Sequence, residues 1–357
     1  MTIFDELNFR KKYNLNIIRC LLTGMDNSLT YISLKKPKRG PMYLGWDITF
    51  KCNFRCGYCD AWKLGMKSKN ELNTEECIDI IRQAGKAGVC ILGITGGEPL
   101  LREDIGILIT EAKKSGMSVN INTNASLLEK KAELLVNSGL DSITISVESH
   151  RAKIHDYIRN FKGSFNLIQK GIEKLKKVRK YDKPRIMVRA NVTRINYKEI
   201  GKFIEYWRSK VDEIILQPIH DSPQSFFHIS DKKIKFLKKD KEQFISFFNK
   251  LSEKYKWLRD TYYKEFPAFF FNIRHLMAKY KCFSAFFSLQ IDPYGNVLPC
   301  PEFIQNFGNL REKSFNEIWC GKKIQKFREI LKRKENKCFC WYYCTGPVNC
   351  FLTKIFK

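Results

Sequence analysis

The sequence predicts an α/β protein built on a parallel sheet, and three observations predict it. Between Met42 and Pro218, short strand-like runs alternate with amphipathic helical stretches six times. Units of this length are strands joined by crossover helices. At 357 residues and 44% hydrophobic, the chain can bury one large core, or a large domain plus a small one. Its cysteines fall largely into two groups, one just after the first strand and one in the last 76 residues, between Cys282 and Cys350.

In chain order, residues 1–41 form an extension with a short helix at Ile3–Tyr13 and a basic, Pro- and Gly-punctuated linker at Lys35–Pro41. Tyr43–Thr49 reads as the first strand. Thr74–Gly88 is a helix with Glu75 and Glu76 in its first turn and Gly88 at its stop. Strands are expected at Cys90–Thr95, Ser118–Asn122, Ser142–Val147, Arg185–Val192 and Glu213–Gln217, with helices at Asp104–Ser115, Leu127–Asn137, Ser164–Lys177 and Tyr197–Ser209. Residues 42–218 thus form one unit and 219–281 a helical connector. In the connector, Leu237, Phe244, Phe248, Leu251, Tyr255 and Leu258 recur at helical spacing and predict an amphipathic helix over Lys232–Trp257. Its lysines read as a solvated face, and the Phe-rich run 266–271 as core. Residues 282–357 are a small cysteine-rich unit.

The chemistry is concentrated in Cys52, Cys56 and Cys59, spaced x3 then x2. Three thiolates can hold three irons of a cubane cluster and leave a fourth iron open to a ligand. Structural zinc is the competing reading, but it takes four ligands, usually in paired cysteines or histidines, and no matching pair lies nearby. A second anchor is Gly96-Gly97-Glu98-Pro99 at the end of the second strand, where glycines allow close approach to the backbone.

With Tyr58 as the aromatic of C-x3-C-x-aromatic-C and GGEP one strand later, the chain resembles the radical S-adenosylmethionine (SAM) family. The resemblance implies a partial (β/α)6 TIM-like barrel with its active site at the C-terminal strand ends. It also implies a [4Fe-4S] cluster whose open iron is chelated by the amino and carboxylate groups of SAM. By the same resemblance Gly96, Gly97 and Glu98 would offer backbone carbonyls to the SAM ammonium. Ser146 and Glu148 would serve its ribose or carboxylate, Arg189 its carboxylate, and Gln217 would sit near the adenine. Asn122–Asn124 would face the same cavity. Each has a plainer reading as a turn, a helix cap or a structural ion pair.

Cys282-x12-Gly295-x4-Cys300 encloses a hairpin with its turn at Asp292–Gly295, followed by Gly308-Asn309 and Ile318-Trp319. This half resembles the SPASM/twitch extension, which binds auxiliary [4Fe-4S] clusters. The second half, Cys338-x-Cys340-x3-Cys344-x5-Cys350, departs from it: the spacings are shorter and no later cysteine follows. The six cysteines fill one auxiliary cluster, with two as the second option, Cys320 as a spare ligand, and zinc as the competing ion. Cys20, Cys77 and Cys90 read as buried thiols.

No secretion signal or 18-residue apolar run is visible, so the 13 cysteines are expected to be metal ligands and buried thiols in a cytoplasmic protein. A net charge of +27 would attract polyanions or an acidic membrane surface. A Lys-rich solvated surface accounts for it as well, and nucleic acid is the lesser expectation. The family resemblance implies that an electron arrives from a flavodoxin- or ferredoxin-type donor. SAM is then cleaved to methionine and a 5′-deoxyadenosyl radical, which abstracts a substrate hydrogen. The short N-terminal extension favours a small-molecule or carrier-bound substrate over a peptide. A non-catalytic iron–sulfur protein binding RNA is the reading from another class.

Overall fold

The computed structural model describes residues 16–67, 70–222, 226–302, 305–333 and 340–356. The expected helix at Ile3–Tyr13 and Cys338 lie outside them. The described residues open with α1 (Ile17–Ser33), then β1 (Tyr43–Thr49), α2 (Ala61–Met66), α3 (Thr74–Ala87), β2 (Ile91–Gly96), α4 (Ile105–Lys114), β3 (Ser118–Thr123) and α5 (Leu128–Asn137). It continues through β4 (Ser142–Ser146), α6 (Ala152–Arg159), α7 (Ser164–Val178), β5 (Arg185–Val192), α8 (Ile200–Trp207) and β6 (Glu213–Pro218). The remainder comprises α9 (Lys241–Lys254), α10 (Phe266–Phe271), α11 (Ile273–Lys279), β7 (Ser288–Ile291), β8 (Asn296–Leu298), β9 (Gly308–Asn309), α12 (Phe315–Trp319), α13 (Lys322–Lys332) and α14 (Gly346–Ile355).

Strands β1 to β6 pair in parallel in chain order, giving a partial (β/α)6 barrel. The strand pleat sorts their side chains. Ile121, Ile143, Ile145, Val188, Ala190 and Leu216 are buried in the hydrophobic core. The alternate positions, Asn120 and Asn122, Thr144 and Ser146, Arg189 and Asn191, and Gln217, line an interior cavity of about 310 Å³. Helix termini follow local chemistry. The Asn73 side chain accepts from Glu76 N while the Glu76 side chain accepts from Asn73 N, and Gly88 closes α3 at φ +95°, where a Cβ would be strained.

Three features differ from expectation. First, α1 is a 17-residue helix over a stretch to which no element was assigned. It docks through polar side chains: Thr23 Oγ1 donates to Gly88 O at 2.9 Å and Asn27 Nδ2 to Gly40 O at 3.0 Å. Second, the helix expected over Lys232–Trp257 is regular only at Lys241–Lys254, with single turns at Lys238–Asp240 and Lys256–Arg259. Its would-be first turns are instead a strap. Ser230 N and Asp231 N both donate to Gly57 O, and Ile234 packs against Phe54, Cys56 and Tyr58. Asp240 then accepts from Leu237 N at 2.8 Å and starts the helical path. Third, the C-terminal hairpin, expected only as two short strands and a turn, joins the barrel's sheet. β7 pairs in parallel with the free edge of β1, from Tyr43↔Ser288 to Trp46↔Ile291, and β8 and β9 extend it antiparallel. The Phe-rich run packs on α9 and the strap, with Phe270 4.5 Å from Phe236 and 5.2 Å from Phe244 between ring centroids.

Candidate active site

The loop after β1 carries Cys52, Cys56 and Cys59, and all three line the cavity. Burial pushes these thiols up, Cys52 to about 11, so as free thiols they stay protonated and a metal would be needed to hold them as thiolates. Cys52 Sγ accepts the Phe54 N–H at 3.4 Å, a hydrogen bond of the kind that tunes cluster sulfurs. The three thiols on one loop, facing one cavity beside a buried guanidinium, fit a site-differentiated cluster.

The GGEP segment is shaped by this loop as much as by any ligand. Gly97 N donates to Thr49 O at 2.7 Å and Glu98 N to Lys51 O at 2.8 Å. A Cβ on Gly96 would lie 2.3 Å from Thr49 O, and one on Gly97 2.2 Å from Lys51 O. The glycines therefore admit the backbone that presents the cysteines. The Glu98 side chain is fully buried and accepts from Thr123 Oγ1 at 2.6 Å, Asn124 N at 2.7 Å and Leu100 N at 3.1 Å. It brackets β2 to the end of β3.

Glu148, just past β4, is a second bracket. It is fully buried and accepts from Tyr58 Oη at 2.6 Å, Asn191 N at 3.0 Å and Arg159 Nη1 at 3.4 Å. Its own N–H donates to His155 Nδ1 at 3.1 Å. Burial holds that imidazole neutral, its pKa lowered to about 3, so the nitrogen can accept. Asn196 Nδ2 donates to Glu148 O at 2.7 Å. Glu98 and Glu148 thus spend their carboxylates on the scaffold, and neither is among the cavity-lining residues; the role expected of Glu98 was its backbone carbonyl, that of Glu148 its side chain. Tyr58, Gly96, Gly97, Ser146, Arg189 and Gln217 do line it. Arg159, His155 and Asn196 were not foreseen. The readable signal was His155 and Arg159 four apart on one face of α6, two bases on what would otherwise be a core-facing stripe.

The two cavity guanidiniums face different ends. Arg159 stands among Cys56, Tyr58, Glu148 and Cys52; burial opposes its charge, and these neighbours more than offset that. Arg189 bears instead on Cys344, Tyr262 and His220. Arg189 Nη1 reaches Asn122 Oδ1 at 3.4 Å, and its buried Nε has no partner. Gln217 ties the barrel to the C-terminal unit, accepting from Tyr343 N at 3.2 Å. There His220 stacks on Tyr342 at 3.8 Å and accepts the Trp341 N–H at 2.9 Å.

Among the late cysteines, Cys340 lies in the electrostatic reach of Cys300, Cys282 and Cys344, and of Glu302. Burial raises Cys282 and Cys340, and Cys344 is the exposed member of the group. Cys350, on α14, has Glu265 and Tyr280 as its neighbours instead. Cys320 Sγ donates to Pro37 O at 3.5 Å, away from the group. Among the described residues, no three His, Cys, Asp or Glu side chains converge on a single-ion site. Cys282, Cys300, Cys340 and Cys344 are a four-thiol set of the kind that holds an auxiliary cluster.

Residues 46–214 match the Radical SAM superfamily and residues 282–345 the SPASM iron–sulfur cluster-binding domain. The AdoMet-dependent heme synthase of Methanosarcina barkeri is 26% identical over 323 residues, 84% of this chain and 87% of that protein. Streptococcus suis SuiB bound to S-adenosylmethionine shares the fold with TM-score 0.63 at 18% identity, over 85% of this chain and 71% of that one. Native anSMEcpe with bound AdoMet does so with TM-score 0.56 at 18% identity, over 88% and 95%. With both motifs at the C-terminal ends of neighbouring barrel strands and a cysteine set beyond them, this chain belongs to the radical SAM superfamily, as an iron–sulfur enzyme with a C-terminal SPASM domain.

Proposed function

We propose that this enzyme abstracts hydrogen from a small-molecule or carrier-bound substrate that carries an anionic group, and that Arg189 holds that group. The observation that carries the reading is the separation of the two guanidiniums. Arg159 sits at the Cys52/Cys56/Cys59 end and is spent on Glu148 and Tyr58, whereas Arg189 bears on the C-terminal unit, with a long 3.4 Å contact to Asn122 Oδ1 and no carboxylate beside it in a salt bridge among the described residues. When bound, the clusters and SAM supply reductive cleavage to a 5′-deoxyadenosyl radical and a one-electron relay toward the SPASM side.

The chain's own residues bind, orient and exclude water. Cys52, Cys56 and Cys59 hold the site cluster, and Cys282, Cys300, Cys340 and Cys344 the auxiliary one. Ser146 and the backbone at Gly96–Gly97 line the SAM end. Phe227, Tyr342 and Tyr343 wall the substrate end, and an aromatic wall keeps water from a reactive carbon. The surplus of positive charge suits an acidic flavodoxin- or ferredoxin-type donor. The many free thiols suit the reducing cytoplasm. The heme synthase relative favours a small molecule. SuiB and anSMEcpe have been solved with a precursor peptide and the Cp18Cys peptide respectively, so a peptide with an acidic side chain is the competing substrate.

The test uses anaerobically reconstituted protein, dithionite and SAM, with Cys52, Cys56 and Cys59 all changed to alanine as the inactive control. Arg189→Ala should leave substrate-free 5′-deoxyadenosine formation within about threefold, yet lose about 10- to 100-fold in stimulation by carboxylate or phosphate candidates, as expected for one lost charge-assisted contact. Loss of SAM binding or of substrate-free cleavage in Arg189→Ala would assign Arg189 to SAM and sink the reading.

A further inference from the structure

Helix α1 is amphipathic with its apolar side turned outward. At about 100° per residue, Ile18, Leu21, Leu22, Met25, Leu29 and Ile32 fall on one stripe. All six are exposed, Ile18 by 72%, Met25 by 61% and Leu29 by 60%. The opposite side buries Thr23, Asn27, Thr30 and Tyr31. A helix held only for stability would bury its leucines and expose its threonines. Here polar side chains satisfy barrel carbonyls while six large apolar ones face solvent on one stripe, the kind of contiguous exposed apolar surface that marks an interaction site.

The charge around the stripe selects the occupant. Exposed Lys35, Lys36 and Lys38 follow the helix directly, and exposed Lys86 lies near its start. Alongside its C-terminal end runs α13, tied on by Gln325 Nε2 to Leu34 O and Lys332 Nζ to Ile32 O. That helix exposes Lys322, Lys323 and Lys326. An apolar stripe bordered by lysines is the composition of a helix that lies in the interface of an anionic bilayer. A second copy of this chain would bring two surfaces of the same sign together, each on a chain of net charge +27, which like-charge repulsion opposes.

The geometry points to α1 as a membrane-surface docking element that recognises anionic lipid, seating the enzyme peripherally on a bilayer. This rests on the helix and its lysines alone and holds whatever the active site acts on.

The test is sedimentation of the full-length, cluster-loaded protein with vesicles of phosphatidylcholine alone or mixed with phosphatidylglycerol, at low and high salt. The protein should bind the anionic vesicles at least about tenfold better than the neutral ones, and less well in high salt. Leu21→Gln, Met25→Gln and Leu29→Gln combined should lose about tenfold or more while keeping the circular dichroism melt and substrate-free 5′-deoxyadenosine formation, because these side chains are largely exposed and lie outside the core and the cavity. Lys322→Glu, Lys323→Glu and Lys326→Glu combined should weaken binding to the anionic vesicles selectively. Absence of vesicle binding, or equal binding by the glutamine variant, overturns the proposal. So does a concentration-dependent dimer, seen by ultracentrifugation and abolished by the glutamine variant, since the occupant is then a second copy. Binding that appears only when residues 1–15 are removed overturns it too, since that segment is then the cover.

Discussion

Replacing Glu148 by alanine removes the group that joins the cysteine loop to β5 and α6. The carboxylate is fully buried and Arg159 nearly so, so the substitution strands a charge in a low-dielectric setting. Breaking a buried pair from one side costs about 3–5 kcal/mol, and the orphaned Asn191 N–H adds about 1–3 kcal/mol more. Against a total of about 5–15 kcal/mol, that is a large share. Arg159→Met alone should also destabilise, because Glu148 then becomes the stranded partner. The double variant strands neither charge, so it should be less destabilised than the sum by about 1–3 kcal/mol. Urea unfolding of the cluster-free, reduced protein measures this cycle, and iron content after reconstitution reports whether the loop still presents its thiols. Additivity within about 0.5 kcal/mol, or an unaltered Glu148→Ala midpoint, would refute the bracket.

Other outcomes follow from the same geometry. Gly97→Ala places a Cβ 2.2 Å from Lys51 O and 2.6 Å from Phe50 O; it should displace the loop and lose the site-cluster iron, read by iron analysis and electron paramagnetic resonance. Cys340→Ala should remove about four irons per chain, one cubane's worth, while Cys350→Ala should keep them; equal losses would place Cys350 in the ligand set. Burial raises the Asp47 carboxyl to about 7, with Gln290 opposing and Asp292 adding to the shift. A carboxyl whose folded pKa lies above its unfolded value near 3.8 favours the fold below about pH 4 and loses that advantage as pH rises to 7. Asp47→Asn should therefore be close to neutral at pH 4 and stabilising at pH 8, by up to about 4 kcal/mol. Thermal melts at the two pH values check it, and a uniform effect counts against it.

The strand positions of the barrel were legible because short strand-like runs recur between amphipathic helical stretches; Arg185–Val192 was bounded to the residue. The cysteine loop and GGEP were legible because their chemistry is local. The partners of the Glu98 and Glu148 carboxylates were not legible, since the donors that claim them, Thr123, Asn124, Asn191 and Tyr58, come from other strands and loops. Helix α1 escaped notice for a physical reason: its polar anchors Thr23 and Asn27 look like solvent-facing residues until the carbonyls of Gly88 and Gly40 are seen. The stretch 232–237, expected as the first turns of a helix, is strap instead because the lysine run has no preference strong enough to resist the pull of Ile234 onto the cysteine loop.

The parallel pairing of β7 with β1 sets a limit on how the molecule can be taken apart. A strand that carries the cysteine loop at its tip has a neighbour on both sides only while the C-terminal hairpin is present. Cut after residue 281, the barrel would end in a bare row of amide and carbonyl groups, the template on which chains associate edge to edge. The SPASM half is thus no detachable accessory but part of the catalytic half's solubility. Swapping it between relatives should succeed only where the donor hairpin reproduces the Tyr43–Trp46 register.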